Sequence, residues 1–202
     1  MFFRLSVFKK LIKSAYKRTG FYLGQDREKI YYYIRTPRFV VWFNAESMPK
    51  QAKAAVIEFS GELPEPGEEF LCSEAQECNQ YSFLGTDYSL FDIEQKAKAK
   101  FHITKISDVS TDSRYMYSKI EDRVVNSILI PESILAMIDA GAIDTANGEI
   151  PPIGPVATGV IDKQVFWHNN TSALLVMDVL EGSDDEAKSY AMALAELEAN
   201  SK

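Results

Sequence analysis

A chain of 202 residues and 22.8 kDa, 46% hydrophobic and 25% charged, is sized for one domain whose core needs neither disulfide nor metal. Its two cysteines, Cys72 and Cys78, cannot make a disulfide framework. No apolar run reaches the roughly 20 residues of a bilayer crossing, and Arg4, Lys9, Lys10 and Lys13 interrupt any signal-peptide core. The net charge of −7 and pI near 5.0 argue against a protein that binds nucleic acid over its whole surface. The expectation is a single cytoplasmic domain over residues 1–202.

Charge is unevenly spread. Residues 1–18 carry six basic residues and no acidic one. On a 3.6-residue wheel Leu5, Phe8, Leu11, Ile12, Ala15 and Tyr16 gather on one side, and Lys9, Lys10, Lys13 and Lys17 on the other. The pattern predicts a cationic amphipathic helix over 2–18, stopped near Gly20. Residues 21–44 are rich in aromatic and β-branched side chains and read as two or three antiparallel strands. In one of them Ile30, Tyr32 and Ile34 point one way and Tyr31, Tyr33 and Arg35 the other. Residues 39–43 are apolar on both faces, which predicts a central strand covered on both sides, one cover being the first helix.

Ser47 and Pro49 open a second helix that ends at Gly61. The Pro- and Gly-punctuated stretch that follows reads as a loop. Between Ala54 and Gln95 there is no lysine or arginine. There, Glu62, Glu65, Glu68, Glu69, Glu74 and Glu77 predict an acidic partner surface opposite the basic helix. Strands are expected at 101–106, 115–120 and 124–130, with a short helix over 132–140. Residues 144–159 hold Asn147-Gly148, Pro151-Pro152 and Gly154-Pro155 and read as an irregular loop, long enough for a binding loop or lid. Strands at 160–168 and 173–180 flank the turn signal Asn169-Asn170, and Ser183 with Glu186 caps a last helix over 184–199. The fold class is α+β: a mostly antiparallel sheet of about six to seven strands, an amphipathic helix at each end and two shorter internal helices.

Chemistry-bearing patterns are sparse. Cys72 or Cys78, then His102 or His168, then Asn169 or Asn170 has the chain order of a cysteine-protease-like set. Acidic neighbours such as Glu74 and Glu77 would raise the thiol pKa, however, and structural thiols are expected. Two histidines 66 positions apart match no zinc spacing. Asp108-x-Ser110-x-Asp112 resembles the Asp-x-Ser-x-Ser metal-adhesion motif of von Willebrand A domains over five residues. It ends in Asp112 rather than serine and lacks the surrounding α/β alternation, so an ordinary Asx or Ser turn is expected. Phosphate-cradling glycine motifs are absent from the sequence. No metal, no cofactor and no catalytic residue is assigned.

By elimination the sequence favours a non-catalytic interaction or accessory protein that acts through charged surfaces on a macromolecular partner, with a protein, including another copy of itself, as the first choice. A nucleic-acid-associated protein is an alternative: it would use Lys9, Lys10, Lys13 and Lys17 with Tyr31, Tyr33 and Arg35 as a stacking face. Others are an acidic mimic of a nucleic-acid backbone, a protein held on a membrane surface through Phe2, Phe3, Phe8 and the lysines, and an enzyme with a site near His168 beneath loop 144–159.

Overall fold

The computed structural model describes residues 1–82, 99–120, 123–157, 164–177 and 180–181, with Ser189 and Ala193. Its elements in chain order are α1 (Leu5–Arg18), β1 (Phe21–Gln25), β2 (Tyr31–Arg35), β3 (Phe39–Asn44), α2 (Lys50–Ser60), β4 (Glu68–Ser73) and β5 (Gln76–Ser82). There follow β6 (Ala99–Asp108), β7 (Ser113–Ile120), β8 (Arg123–Pro131), α3 (Glu132–Leu135), β9 (Ile153–Ala157), β10 (Val165–His168), β11 (Ser172–Val176) and β12 (Leu180–Glu181).

The class is α+β, but the sheet is larger than the expected six to seven strands. Among the described residues twelve strands lie in the order β12-β8-β7-β6-β9-β10-β11-β3-β2-β1-β4-β5, and every pairing between them is antiparallel. The excess comes from places where the sequence reading put no strand. The acidic segment after α2 forms the hairpin β4–β5, and loop 144–159 contains β9, which pairs with both β10 and β6. The expected helix over 184–199 lies outside the described residues but for Ser189 and Ala193.

Helix boundaries moved for one physical reason. Phe2 to Arg4 are extended, not helical: Phe3 bridges Ile138, the Arg4 N–H donates to the Met137 carbonyl (2.7 Å) and the Asp139 N–H to the Phe2 carbonyl (2.8 Å). This pairing starts α1 at Leu5 and limits the helix expected over 132–140 to the single turn of α3, because residues 137–139 give their backbone groups to the N-terminal segment.

Around β3 the sheet is buried on both faces. On one, Phe21, Leu23, Ile34, Val41, Phe43, Phe70, Cys72 and Trp167 meet α1 and α2, with Phe101, Met116, Ile128 and Ile130 continuing the same core. α1 contributes Phe8 and Ile12, both fully buried, and the Phe8 and Phe43 rings meet edge to face at 5.6 Å. Each such side chain contributes about 2 kcal/mol by leaving water, and ring pairs of this geometry add about 1 kcal/mol. On the other face Tyr33, Val40, Trp42, Phe166, Ala173 and Leu175 form a second cluster. β3 thus takes the central, doubly buried place that its continuous apolar run implies, with α1 over one side.

Candidate functional site

α1 divides cleanly into a packed and a wet side. Phe8 and Ile12 are buried, Leu5, Val7, Leu11, Ala15 and Tyr16 pack around them, and Lys9, Lys10, Lys13 and Lys17 are exposed. Among the described residues none of these four lysines makes a hydrogen bond or ion pair. Lys17 and Arg18 occupy the last turn, where they complement the helix dipole. Phe2, Phe3 and Phe8, the side chains that would enter a lipid surface, are at most 1% exposed and belong to the core.

The part of the acidic stretch on α2 and β4 lies beside the helix rather than opposite it. α1 packs against α2 and β4. The Tyr16 ring lies 4.6 Å from the ring of Phe59 in α2, and the Tyr16 carbonyl accepts from the Glu74 N–H (3.0 Å) just past β4. Glu58, Glu62, Glu65 and Glu74 are exposed and Glu68 is half-buried. Glu77 sits on β5, where only the backbone is described.

Glu69 departs from the expected acidic surface because it is buried in a cross-strand network. Pairing aligns Glu69 of β4, Gly24 of β1, Tyr33 of β2 and Trp42 of β3 in one row. Gly24 leaves room for the Tyr33 ring to lie across β1, so the Tyr33 hydroxyl donates to Glu69 Oε1 (3.1 Å). Arg35 donates to the same oxygen (3.3 Å) and places its guanidinium over the Tyr22 ring, 4.1 Å from the centroid. Burial, then the Glu69 charge and hydrogen bond, push the Tyr33 phenol well above the ordinary tyrosine range. Tyr33 is therefore a structural donor and not a surface platform for stacking bases; Tyr31 is half-buried beside the same cluster.

The catalytic constellations do not assemble among the described side chains. Cys72 is fully buried in the core under α1. His168 extends from the opposite face, where its ring stacks on Phe166 at 5.1 Å and its row partner is Ala173. Following that row back through Trp42, Tyr33 and Gly24 to Glu69 crosses five strand spacings, about 24 Å at ~4.8 Å each, so the two are not an acid–base pair. His102 is exposed and stacks on Tyr117 at 5.2 Å. Asn169 is a turn former: its Oδ1 accepts from the N–H groups of Thr171 and Ser172, and its amide donates to the Ile150 carbonyl (3.0 Å). Asn170 donates to the Gly148 carbonyl (2.9 Å), and Glu149 pairs with the Met1 ammonium and accepts from the Asp144 N–H (2.8 Å). These bonds pin the described part of loop 144–159 to the hairpin and to the N-terminal segment, an arrangement unlike a lid.

Asp108 behaves as the Asx turn expected of it. One carboxylate oxygen accepts from the Ser110 N–H (2.9 Å) and hydroxyl (2.7 Å), the other from the Thr111 hydroxyl (3.0 Å). The Ser110 hydrogen bonds hold its carboxyl below the ordinary aspartate range. Among the described residues no three His, Cys, Asp or Glu side chains converge as metal ligands. A shallow cavity of about 230 Å³ opens beside Gly20, Tyr22, Arg35, Thr36 and Met177, but its one charged group already serves Glu69. Among the described residues no helix is long and apolar enough to cross a membrane. Comparisons with protein-family models, with curated proteins and with solved structures found no match to this chain. Among the described residues, the feature left with chemistry to offer is the cationic side of α1.

Proposed function

We propose that this is a non-catalytic cytoplasmic interaction protein that uses the wet side of α1 to dock an acidic macromolecular surface. The observation that supports the reading is the four lysines, Lys9, Lys10, Lys13 and Lys17, held exposed on a helix whose other side is anchored in the core, with no partner among the described residues. A rigid row of ammonium groups steers an acidic partner from a distance of about a Debye length and loses strength with salt. Burial of Tyr33 removes one of the three side chains of the stacking face that a nucleic-acid reading relied on, and the core positions of Phe2, Phe3 and Phe8 remove the apolar anchor of a membrane reading. A protein partner is therefore preferred.

The test is capture of polyglutamate, duplex DNA and anionic vesicles at low salt by the intact protein and by a variant with Lys9, Lys10, Lys13 and Lys17 all changed to Gln. The expected result is salt-sensitive binding of the acidic polypeptide that the variant loses. Equal binding by both proteins removes α1 from the function.

A further inference from the structure

The lysines of α1 fall into a stripe. Lys9, Lys13 and Lys17 are spaced at i, i+4 and i+8, a run of about 12 Å along the helix. Tyr16, one residue before Lys17, ties the neighbouring elements to this stripe: the Phe59 ring of α2 packs tilted against its ring, and the N–H of Glu74 donates to its carbonyl. Next to those two contacts stand the exposed carboxylates Glu58 and Glu74, with Glu62 just beyond α2. The basic stripe of α1 thus neighbours the exposed carboxylates on and just beyond the two elements packed against it, and among the described residues none of these six side chains forms an ion pair within the chain.

Such a surface is complementary to itself. A two-fold axis lying in the plane of the surface, along the seam between α1 and its α2/β4 neighbours, sets the stripes of two facing copies opposite each other. Each copy's lysines then face the other's glutamates, and both contacts form at once. A uniformly anionic partner fits worse, because Glu58, Glu62 and Glu74 would repel it from the edge of the same patch. Building on the docking role proposed for α1, we infer that the occupant of its cationic side is a second copy of this chain, in an isologous, electrostatically held dimer.

The size of the patch sets its strength. A 14-residue helix is about 21 Å long, and two elements side by side are about 20 Å wide. The surface covered is about 400 Å² per copy, half the ~800 Å² of a standard stable interface. The dimer is weak and transient, formed at high protein concentration and released by salt.

Sedimentation equilibrium at high protein concentration tests this directly. The association constant should fall about tenfold or more when ionic strength rises from about 0.05 M to about 0.5 M, as the Debye length shrinks from roughly 14 Å to roughly 4 Å. Two folded charge-reversal variants, one with Lys9, Lys13 and Lys17 changed to Glu and the other with Glu58, Glu62 and Glu74 changed to Lys, should each be monomeric alone and should dimerise when mixed. If a triple variant does not fold, the pair K17E and E74K replaces it. A wild-type monomer at low salt, or a mixture that stays monomeric, overturns the dimer. A monomer that still captures polyglutamate through its lysines overturns the dimer while leaving the docking role of α1 in place, whereas loss of both overturns both.

Discussion

Gly24→Ala is expected to damage the fold far more than a methyl group usually does. Gly24 sits inside β1 and pairs with Tyr33 on one side and Glu69 on the other. A Cβ there would lie 2.2 Å from both the Cζ and the hydroxyl of Tyr33, and 2.7 Å from its Cε1. The backbone at Gly24 is not left-handed, so the requirement is for space and not for conformational freedom. Relief demands that the buried Tyr33 ring lift away. That costs about 1–3 kcal/mol of overpacking strain and forfeits the hydrogen bond to the buried Glu69 carboxylate, worth about 1.5–3 kcal/mol for a charged acceptor. The sum, about 2.5–6 kcal/mol, is a large share of an ordinary domain's stability. Urea unfolding of wild type, Gly24→Ala, Tyr33→Ala and the double variant measures it. The double variant should be more stable than the two single effects added together, since Tyr33→Ala removes the ring that the new methyl strikes. Additive effects, or a Gly24→Ala cost below about 1 kcal/mol, would refute the reasoning.

Two further expectations concern the anchoring of the N-terminal segment. Phe8→Ala leaves a hole against Phe43 in the main core and should cost about 3–5 kcal/mol in the same assay, whereas exposed Lys→Gln changes on the other side of α1 should each stay within about 0.5 kcal/mol. Burial of Glu149 favours its neutral form, but hydrogen bonds from the Met1 ammonium and the Asp144 N–H, with the charge of that ammonium, outweigh burial and lower its pKa. The stabilisation is therefore complete above the ordinary glutamate value of about 4.3 and is lost as pH falls through the lower native value. Unfolding free energies measured across acid pH should decline less for Glu149→Gln than for wild type.

How much of this was legible in the sequence depended on the range of the interaction. Strands β1 to β3, helix α2 between Pro49 and Gly61, and the hairpin around Asn169 were readable because period, caps and turn chemistry act over a few residues. The exposed lysines of α1 were readable for the same reason. The hairpin β4–β5 was obscured by its acidic residues, and β9 by Gly154-Pro155, although Gly154 is wanted there: a Cβ would come within 2.6 Å of the Phe166 carbonyl. The Tyr33–Glu69–Arg35 network could not be read, because it depends on β1 lying between β2 and β4 and on an empty place at Gly24. The one available signal was a glycine inside an otherwise apolar and aromatic strand, a known mark of close approach. The placement of exposed carboxylates beside the basic stripe likewise followed from Tyr16 packing on Phe59, a contact between residues 43 positions apart.

The place of β3 also sets a timetable for synthesis. Its partner on one side, β2, is made just before it, but the partner on the other is β11, with about 130 residues of chain between Asn44 and Ser172. At translation rates of about 5–20 residues per second, the Phe39–Asn44 strand waits roughly 6–26 seconds for the neighbour that closes its second row of backbone groups. Through that interval the nascent chain offers an apolar strand edge, the kind of template that pairs with whatever extended segment is nearest. Ribosome-bound chains truncated before residue 172 should be the species that chaperones hold, and release should follow the arrival of β11.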